Sequence, residues 1–103
     1  MDLARKLEDR GVRVDSIILF GSYARGDYSE SSDLDLIIVS EDWSKLGYTE
    51  RLSTLYKLWD KPVDGNFIPL TPKELEELQE KSVVIKDASR YWITVYSRQQ
   101  HTP

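Results

Sequence analysis

The sequence predicts a small α/β (α+β) domain, with a mixed sheet of about four strands and helices packed mainly on one face. Two short apolar runs, IILF at 17–20 and LIIV at 36–39, are rich in β-branched residues and bounded by turn residues, which favours buried strands. A third observation is the amphipathic run 49–59, in which apolar residues recur at helical spacing. We expect the first two strands to be antiparallel.

The other elements follow from local signals along the chain. In order, the predicted elements are helix 2–10, strand 12–20, short helix 22–25, strand 33–40, loop 41–47, helix 49–59, strand 63–68, a helix from 72, helix 82–88 and strand 91–96. A domain over 1–97 is followed by a polar tail over 98–103, which contains His101. A single domain is the expected organisation for a chain of 103 residues.

End signals and periodicity predict the helices. In the first helix Leu3 and Leu7 lie four residues apart, and Gly11 is a stop signal. Thr71 as N-cap and Pro72 at the first position begin the helix that follows the third strand. The run 83–85 is also compatible with a strand. The amphipathic helix over 49–59 places these residues at i, i+3, i+4 and i+7: Leu52, Leu55, Tyr56 and Trp59.

The last two strands are predicted from composition and alternation. The strand over 63–68 is the weaker one, because Gly65 lowers strand stability and is typical of a close backbone approach. The run YWITVY at 91–96 is aromatic and β-branched. Alternation places Trp92, Thr94 and Tyr96 on one face, which we expect to pack in the core. An exposed aromatic edge would instead suit a partner.

Two aspartates precede the second apolar run and form the first candidate site. A strand points residues i and i+2 to the same side, so Asp33 and Asp35 share a face while Leu34 points to the other. Two carboxylates on one face repel each other, so we expect a cation between them. Oxygen-only ligands suit Mg²⁺, which prefers one or two carboxylates together with substrate phosphates. A solvated strand end is the plain alternative for this pair.

A Gly-Ser pair provides the phosphate side of the candidate site. Gly21 follows the first apolar run, where a missing Cβ lets a phosphate approach the backbone. Ser22 could cap the short helix and donate its hydroxyl, and the first-turn N–H groups would face an anion. Ten residues separate Ser22 from Asp33, which allows the turn to return beside the carboxylates. These are the parts that phosphoryl or nucleotidyl transfer needs.

The string FGSYARGDYSESSDLDLIIV at 20–39 resembles the minimal nucleotidyltransferases of prokaryotes, which belong to the polymerase-beta nucleotidyltransferase superfamily. The resemblance rests on Gly-Ser, Ala-Arg-Gly and Ser-Asp-x-Asp-Leu between the two predicted strands. It covers nearly the whole chain and implies the polymerase-beta-like fold. Such domains are often encoded beside a HEPN-domain protein as a toxin–antitoxin pair.

The resemblance implies a set of three carboxylates. Asp33 and Asp35 would be catalytic and would hold Mg²⁺, or Mn²⁺ in its place. Asp64, about thirty residues later at the start of the third predicted strand, matches the third carboxylate of the family. Because Asp-Gly is a common turn pair, a turn role for Asp64 with Gly65 is the alternative.

The resemblance also implies how a nucleoside triphosphate is held. Gly21 and Ser22 would hold the β- and γ-phosphates. Arg25 would contact a phosphate, for which its guanidinium is suited, or would form a salt bridge with Asp27 or another nearby acid. Tyr23 departs from the family, since many relatives carry Arg there, and this removes one expected phosphate contact.

Composition and charge exclude several classes of function. The chain has 14 Lys and Arg against 18 Asp and Glu, a net charge of −4, which disfavours extended nucleic-acid binding. It has no cysteine, and therefore no disulfide, thiolate zinc site or cysteine nucleophile. The first residues contain no signal region and no apolar run reaches the roughly 20 residues of a membrane span. We expect a cytoplasmic protein with no membrane contact.

The expected function is Mg²⁺-dependent transfer of a nucleoside monophosphate, by resemblance AMP from ATP, to a tyrosine hydroxyl of a HEPN-domain toxin. Nothing in the sequence selects the base. One alternative is a binding module that silences its partner by occlusion with weak or absent activity. Another is a small-molecule nucleotidyltransferase of the aminoglycoside-modifying type. The sequence leaves open whether the chain forms a homo-oligomer.

Overall fold

The computed structural model describes residues 2–29 and 31–98, so most of the predicted tail, including His101, lies outside the described residues. None of the helices within this described part is long and apolar enough to cross a membrane. In chain order the elements are α1 (Asp2–Asp9), β1 (Ser16–Phe20), α2 (Gly21–Arg25), β2 (Leu34–Val39), a 3-10 turn (Glu41–Lys45), α3 (Tyr48–Leu58), β3 (Gly65–Leu70), α4 (Pro72–Lys81), α5 (Val83–Ala88), a second 3-10 turn (Ser89–Tyr91) and β4 (Ile93–Ser97).

The strands form one mixed sheet in the order β3-β2-β1-β4. β1 is antiparallel to both β2 and β4, while β2 and β3 are parallel. Because parallel neighbours need a crossover connection, α3 carries the chain from the end of β2 back to the start of β3. The predicted mixed α/β sheet and its antiparallel first pair are confirmed.

The apolar core lies mainly on one face of the sheet. There, α1 and α3 pack on the alternate side chains of β1, β2 and β3; the buried members include Leu7, Val14, Ile17, Leu36, Ile38, Leu55 and Phe67. A smaller cluster of Ile18, Ile37 and Val39 lies on the opposite face, against Leu75 of α4 and Trp92. Strands β1 and β2 are therefore apolar on both faces, which explains their unbroken hydrophobic runs.

Strand pairing shifts the predicted ends of β1 and β3 most, while β2 and β4 (predicted at 33–40 and 91–96) differ by one or two residues at each end. β1 begins at Ser16 and not at residue 12, because β2 ends at Val39, which lies opposite Ser16. The valines at 12 and 14 are nevertheless buried. β3 spans Gly65–Leu70 instead of 63–68, because its ladder with β2 begins at Gly65 and continues to Leu70.

The prediction that Trp92, Thr94 and Tyr96 share one face is wrong. In the ladder of β1 with β4, Ile17 lies opposite Tyr96, but Ile18 lies opposite Thr94, so the register shifts between these two pairs. The extra residue sends Tyr96 to the larger core cluster, whereas Trp92 packs on the smaller cluster of the opposite face. Alternation alone cannot reveal such a bulge.

The predicted loop over 41–47 is mostly a 3-10 turn whose Trp43 is fully buried. The Trp43 Nε1–H donates to the carbonyl of Ile38 at 3.0 Å, which satisfies the indole inside the core. The side chain of Ser40 caps the turn by accepting from the N–H of Asp42. The connection after β2 is thus part of the core.

Helix α3 buries Leu55, as predicted, but Tyr56 is about half exposed (51%) and a charged residue is buried instead. The Arg51 guanidinium donates to the carboxylate of Glu74 at 2.7 and 3.3 Å and to the Pro69 carbonyl at 3.2 Å. Arg51 therefore links α3 to β3 and to the start of α4. This hydrogen-bonded guanidinium is the main cause that holds the pKa of Glu74 below its ordinary value.

The start of α4 is capped as predicted. The Thr71 hydroxyl accepts from the N–H of Glu74 at 3.1 Å, and the Glu74 carboxylate accepts from the N–H of Thr71 at 2.9 Å. This is a capping box with Pro72 at the first helical turn. One carboxylate thus serves both the cap and Arg51.

Candidate active site

Gly21 lies at the junction of β1 and α2, directly against one of the two aspartates. Its φ is +73°, in the left-handed region that favours glycine. A Cβ built at this position would lie 2.1 Å from Oδ2 of Asp35. The glycine is therefore required twice, by backbone conformation and by contact. The predicted return of the Gly-Ser turn to the carboxylates is what the structure shows.

Asp33 and Asp35 are joined by one side chain of the neighbouring strand. The Asn66 Nδ2 donates to Oδ2 of Asp33 and to Oδ1 of Asp35, both at 3.1 Å. Asp35 lies opposite Asn66 in the parallel ladder, so their side chains share a face of the sheet. The two carboxylates therefore face the same small space, which lies beside Gly21.

Asn66 is the residue that sequence reasoning missed. Alternation places it on the same face as Asp64, but only the register of β3 against β2 shows that it meets the aspartates. The available signal was a polar residue, Asn66, within the strand predicted over 63–68. That signal is weak without knowledge of which strands are neighbours.

Asp64 lies just before β3, exposed at the edge of the same region. Its backbone carbonyl accepts from the N–H of Leu34 at 2.8 Å, which extends the pairing with β2 by one bond. Its side chain lines the cleft that also contains Asp33. Within residues 2–29 and 31–98, no three acidic, histidine or cysteine side chains form a group placed to hold a metal. The structure thus brings two of the three predicted carboxylates together.

Ser22 and Arg25 lie on α2, which packs against β2. Ser22 is inside the helix and does not cap it, because α2 begins one residue earlier and its N-cap, Phe20, offers no side-chain bond. Arg25 is exposed, and its Nε donates to Oδ2 of Asp27 at 3.2 Å. The salt-bridge alternative for Arg25 is therefore present in the structure.

A cleft of about 520 Å³ opens beside Asp33. The residues that line it are Tyr23, Ser31, Ser32, Asp33, Pro62, Val63 and Asp64. Tyr23 stacks on the exposed Tyr28 with ring centroids 4.4 Å apart and an angle of 10° between the rings. One ring of this aromatic pair, that of Tyr23, therefore lines the cleft. The volume suffices for a small ligand.

The residues present fit a divalent cation. The Asn66 amide group, whose hydrogens carry partial positive charge, already lies between the two carboxylates. The atoms that face this amide are carboxylate oxygens of Asp33 and Asp35. Oxygen is the ligand type that Mg²⁺ and Mn²⁺ prefer. Asp33 and Asp35 are the residues that would hold such an ion.

The mixed sheet, the glycine turn and the paired aspartates are the features that the resemblance to nucleotidyltransferases predicts. The chain belongs to the nucleotidyltransferase domain family, whose pattern it matches over residues 1–93. It is therefore a domain of this family, with the polymerase-beta-like fold.

Two relatives from Methanocaldococcus jannaschii are similar to this chain. One, named "Putative protein adenylyltransferase MJ0604", is 60% identical over 38 residues, which are 37% of this chain and 37% of that protein. The other, named "Putative protein adenylyltransferase MJ0141", is 34% identical over 90 residues, which are 87% of this chain and 56% of that protein. The matches thus span about a third and about half of the length of these curated relatives.

Solved structures share the fold. A crystal structure described as a "putative nucleotidyltransferase from Sulfolobus solfataricus" has a TM-score of 0.64 at 20% identity. The superposition covers 93% of this chain and 75% of that chain. Another described as a "putative nucleotidyltransferase" has a TM-score of 0.52 at 26% identity, covering 91% and 89%. A toxin–antitoxin structure with AMP-PNP has a TM-score of 0.51 at 20% identity, covering 95% and 73%.

Proposed function

We propose that this chain transfers AMP from ATP to a tyrosine hydroxyl of a partner protein, a HEPN-domain toxin, and so acts as its antitoxin. The observation that carries the proposal is the close approach of Gly21 to the Asp35 carboxylate. The Asn66 amide donates to this carboxylate and also to that of Asp33. This arrangement brings a candidate phosphate turn and a candidate cation site to one point. Membership in the nucleotidyltransferase family supplies the class of reaction.

In the proposed mechanism Asp33 and Asp35 would hold Mg²⁺. A bound divalent ion neutralises phosphate charge and stabilises the attacking and leaving oxygens of an in-line displacement. Gly21 and Ser22 hold the β- and γ-phosphates: Gly21 allows the triphosphate to approach the backbone beside Asp35, and Ser22 donates its hydroxyl to a phosphate oxygen. Arg25 leaves its exposed salt bridge with Asp27 to contact a phosphate.

The acceptor hydroxyl oxygen attacks the α-phosphorus of ATP. A bond forms between that oxygen and the α-phosphorus, the bond to the β-phosphate oxygen breaks, and pyrophosphate leaves. Asp64, which lines the same cleft as Asp33, is proposed to bind a second metal and to help remove the hydroxyl proton. The product is an adenylated tyrosine.

The nature of the acceptor is supported by what is similar to this chain. Both M. jannaschii relatives carry names of protein adenylyltransferases, which favours a protein acceptor and AMP as the transferred group. The toxin–antitoxin neighbour with AMP-PNP, an ATP analogue, favours a toxin as partner and adenine as base. The net charge of −4 weighs against a nucleic-acid acceptor. The HEPN identity of the partner follows from the resemblance of the sequence motif.

The nucleotide site is tested by calorimetric titration with ATP, GTP, CTP and UTP, each with and without Mg²⁺. We expect ATP binding that depends on Mg²⁺ and disappears in Asp33→Ala/Asp35→Ala. Asp60→Ala, which removes an exposed aspartate paired with Lys6, is the control and should bind like the wild type. Binding by the double variant equal to that of the wild type would overturn the site.

The acceptor is tested by intact mass of a purified HEPN-domain partner after incubation with this chain, ATP and Mg²⁺. We expect the mass of at least one AMP to be added to the partner, and no addition with Asp33→Ala/Asp35→Ala. A stable complex that silences the partner without any gain in mass would instead establish the occlusion alternative.

A further inference from the structure

Asn66 uses both hydrogens of its amide group on the two aspartates. Its Nδ2 lies 3.1 Å from Oδ2 of Asp33 and 3.1 Å from Oδ1 of Asp35. An amide nitrogen has two hydrogens, so these bonds exhaust its donors. Without such a donor the two carboxylates, which both contact Asn66, would repel each other. The amide therefore holds the carboxylates together when no cation is bound.

A cation cannot enter between the carboxylates while the amide hydrogens point at them, since both are positively polarised. The same side chain carries an oxygen, Oδ1, on the same carbon atom. Asn66 is exposed, and in the part of the chain that the structure describes no donor contacts its Oδ1. Rotation of the amide therefore costs only the two hydrogen bonds that the cation would itself replace.

We propose that Asn66 is the third oxygen ligand of the divalent cation, an inference that rests on the proposed function of Asp33 and Asp35. Without a cation, its Nδ2 donates to both carboxylates and keeps them close together. With the cation bound, the amide turns and presents Oδ1. Amide oxygens are established ligands of hard divalent cations.

The side chain at position 66 sets how many negative charges surround the cation. The register of the sheet puts a neutral amide, and not a carboxylate, next to Asp35. The cation then faces two negative charges from Asp33 and Asp35. A carboxylate at position 66 would add a third and strengthen cation binding, while it would destabilise the metal-free protein by repulsion.

The test is Mn²⁺ binding to the full chain, measured by electron paramagnetic resonance of the free ion, together with the Tm of the metal-free protein. Asn66→Ala should bind Mn²⁺ roughly tenfold more weakly, the size of loss typical for groups that position or tune a metal site. Asn66→Asp, which keeps the shape of the side chain, should bind Mn²⁺ more tightly and have a lower metal-free Tm. Asp60→Asn is the remote control for the loss of carboxylate charge in Asp33→Asn/Asp35→Asn.

The outcomes separate this inference from the proposed function. If Asp33→Asn/Asp35→Asn loses Mn²⁺ but folded Asn66→Ala binds it as well as the wild type, Asn66 is no ligand, and the proposed function stands. If Asn66→Asp fails to tighten Mn²⁺ binding, the ligand assignment is likewise wrong. If the wild type does not bind Mn²⁺, or Asp33→Asn/Asp35→Asn binds it equally, the cation site itself is wrong and both proposals fall.

Discussion

Among the glycines, Gly21 has the least room for an added side chain. It combines a positive φ with a position against the Asp35 carboxylate, whereas Gly11 has a similar φ of +87° and no neighbour within 4 Å of an added Cβ. Gly11→Ala is therefore a matched control for backbone strain alone, which costs about 1–2 kcal/mol. The difference between the two variants isolates the contact with Asp35.

We expect Gly21→Ala to lower the free energy of unfolding by more than Gly11→Ala, because the new methyl group must displace the Asp35 carboxylate. It should also abolish Mg²⁺-dependent ATP binding, which Gly11→Ala should retain. Urea unfolding and calorimetric titration measure the two effects. Equal stability of the two variants, with ATP binding intact in both, would contradict the role of this contact.

Substitution of Arg25 separates its two alternative roles, a phosphate contact and a salt bridge with Asp27. Its salt bridge with Asp27 is exposed on both sides, with 48% and 62% of the side chains accessible, so it adds little to stability. We expect Arg25→Ala to unfold like the wild type but to bind ATP about tenfold more weakly, as for loss of a charged hydrogen bond of about 1.5 kcal/mol. Asp27→Asn should leave ATP binding intact. Unchanged ATP affinity in Arg25→Ala would show that Arg25 does not contact a phosphate and forms only the salt bridge with Asp27.

At the scale of elements, α3, β3 and α4 meet at Arg51 and Glu74. Arg51 is nearly buried, with 8% of its side chain accessible, while the Glu74 carboxylate is 41% accessible. Solvent therefore screens part of the attraction, and we expect Glu74→Gln to lower the free energy of unfolding by about 1 kcal/mol at neutral pH. The glutamine can still accept from the N–H of Thr71, so the variant tests mainly the charge.

This pair makes stability depend on pH in a definite direction. The pKa of Glu74 is lowered in the folded chain from its ordinary value of 4.5, chiefly by the hydrogen bonds from Arg51. The contribution of Glu74 is therefore present above pH 4.5 and is lost as the pH falls through the lower folded pKa. Urea unfolding from neutral pH to about pH 3 should show wild type and Glu74→Gln converging in acid. Glu77→Gln, at an exposed acid of the same helix, is the control, and a constant gap across this range would contradict the assignment.

At the scale of the whole molecule, the larger core cluster depends on the connection after β2 as much as on the helices. Trp43 is fully buried, and its indole N–H satisfies the Ile38 carbonyl. We expect Trp43→Ala to cost about 3–5 kcal/mol, a large part of the stability of a small domain. Trp43→Phe should cost less, because it keeps most of the apolar volume and loses mainly the hydrogen bond. Chemical denaturation measures both, and a Trp43→Ala protein as stable as the wild type would contradict this role.

The amino-acid sequence was sufficient to predict the class of fold, most of the secondary elements and the shared orientation of Asp33 and Asp35. These features depend on local patterns: β-branched runs, helix end signals such as Thr71 with Pro72, and two aspartates with a strand period of two. The proximity of Gly21 to Asp35 also follows from a short connection between antiparallel strands. Local patterns are sufficient there because the partners lie close along the chain.

Contacts between residues that are distant along the chain could be read only from the three-dimensional structure. The parallel register of β2 with β3 places Asn66 beside Asp33 and Asp35 and leaves Asp64 at the edge of the cleft. A two-residue change of register would place Asp64 opposite Asp35 instead, and no local pattern sets the register. The burial of Arg51 was decided in the same way, since the acid that compensates its charge lies 23 residues further along the chain.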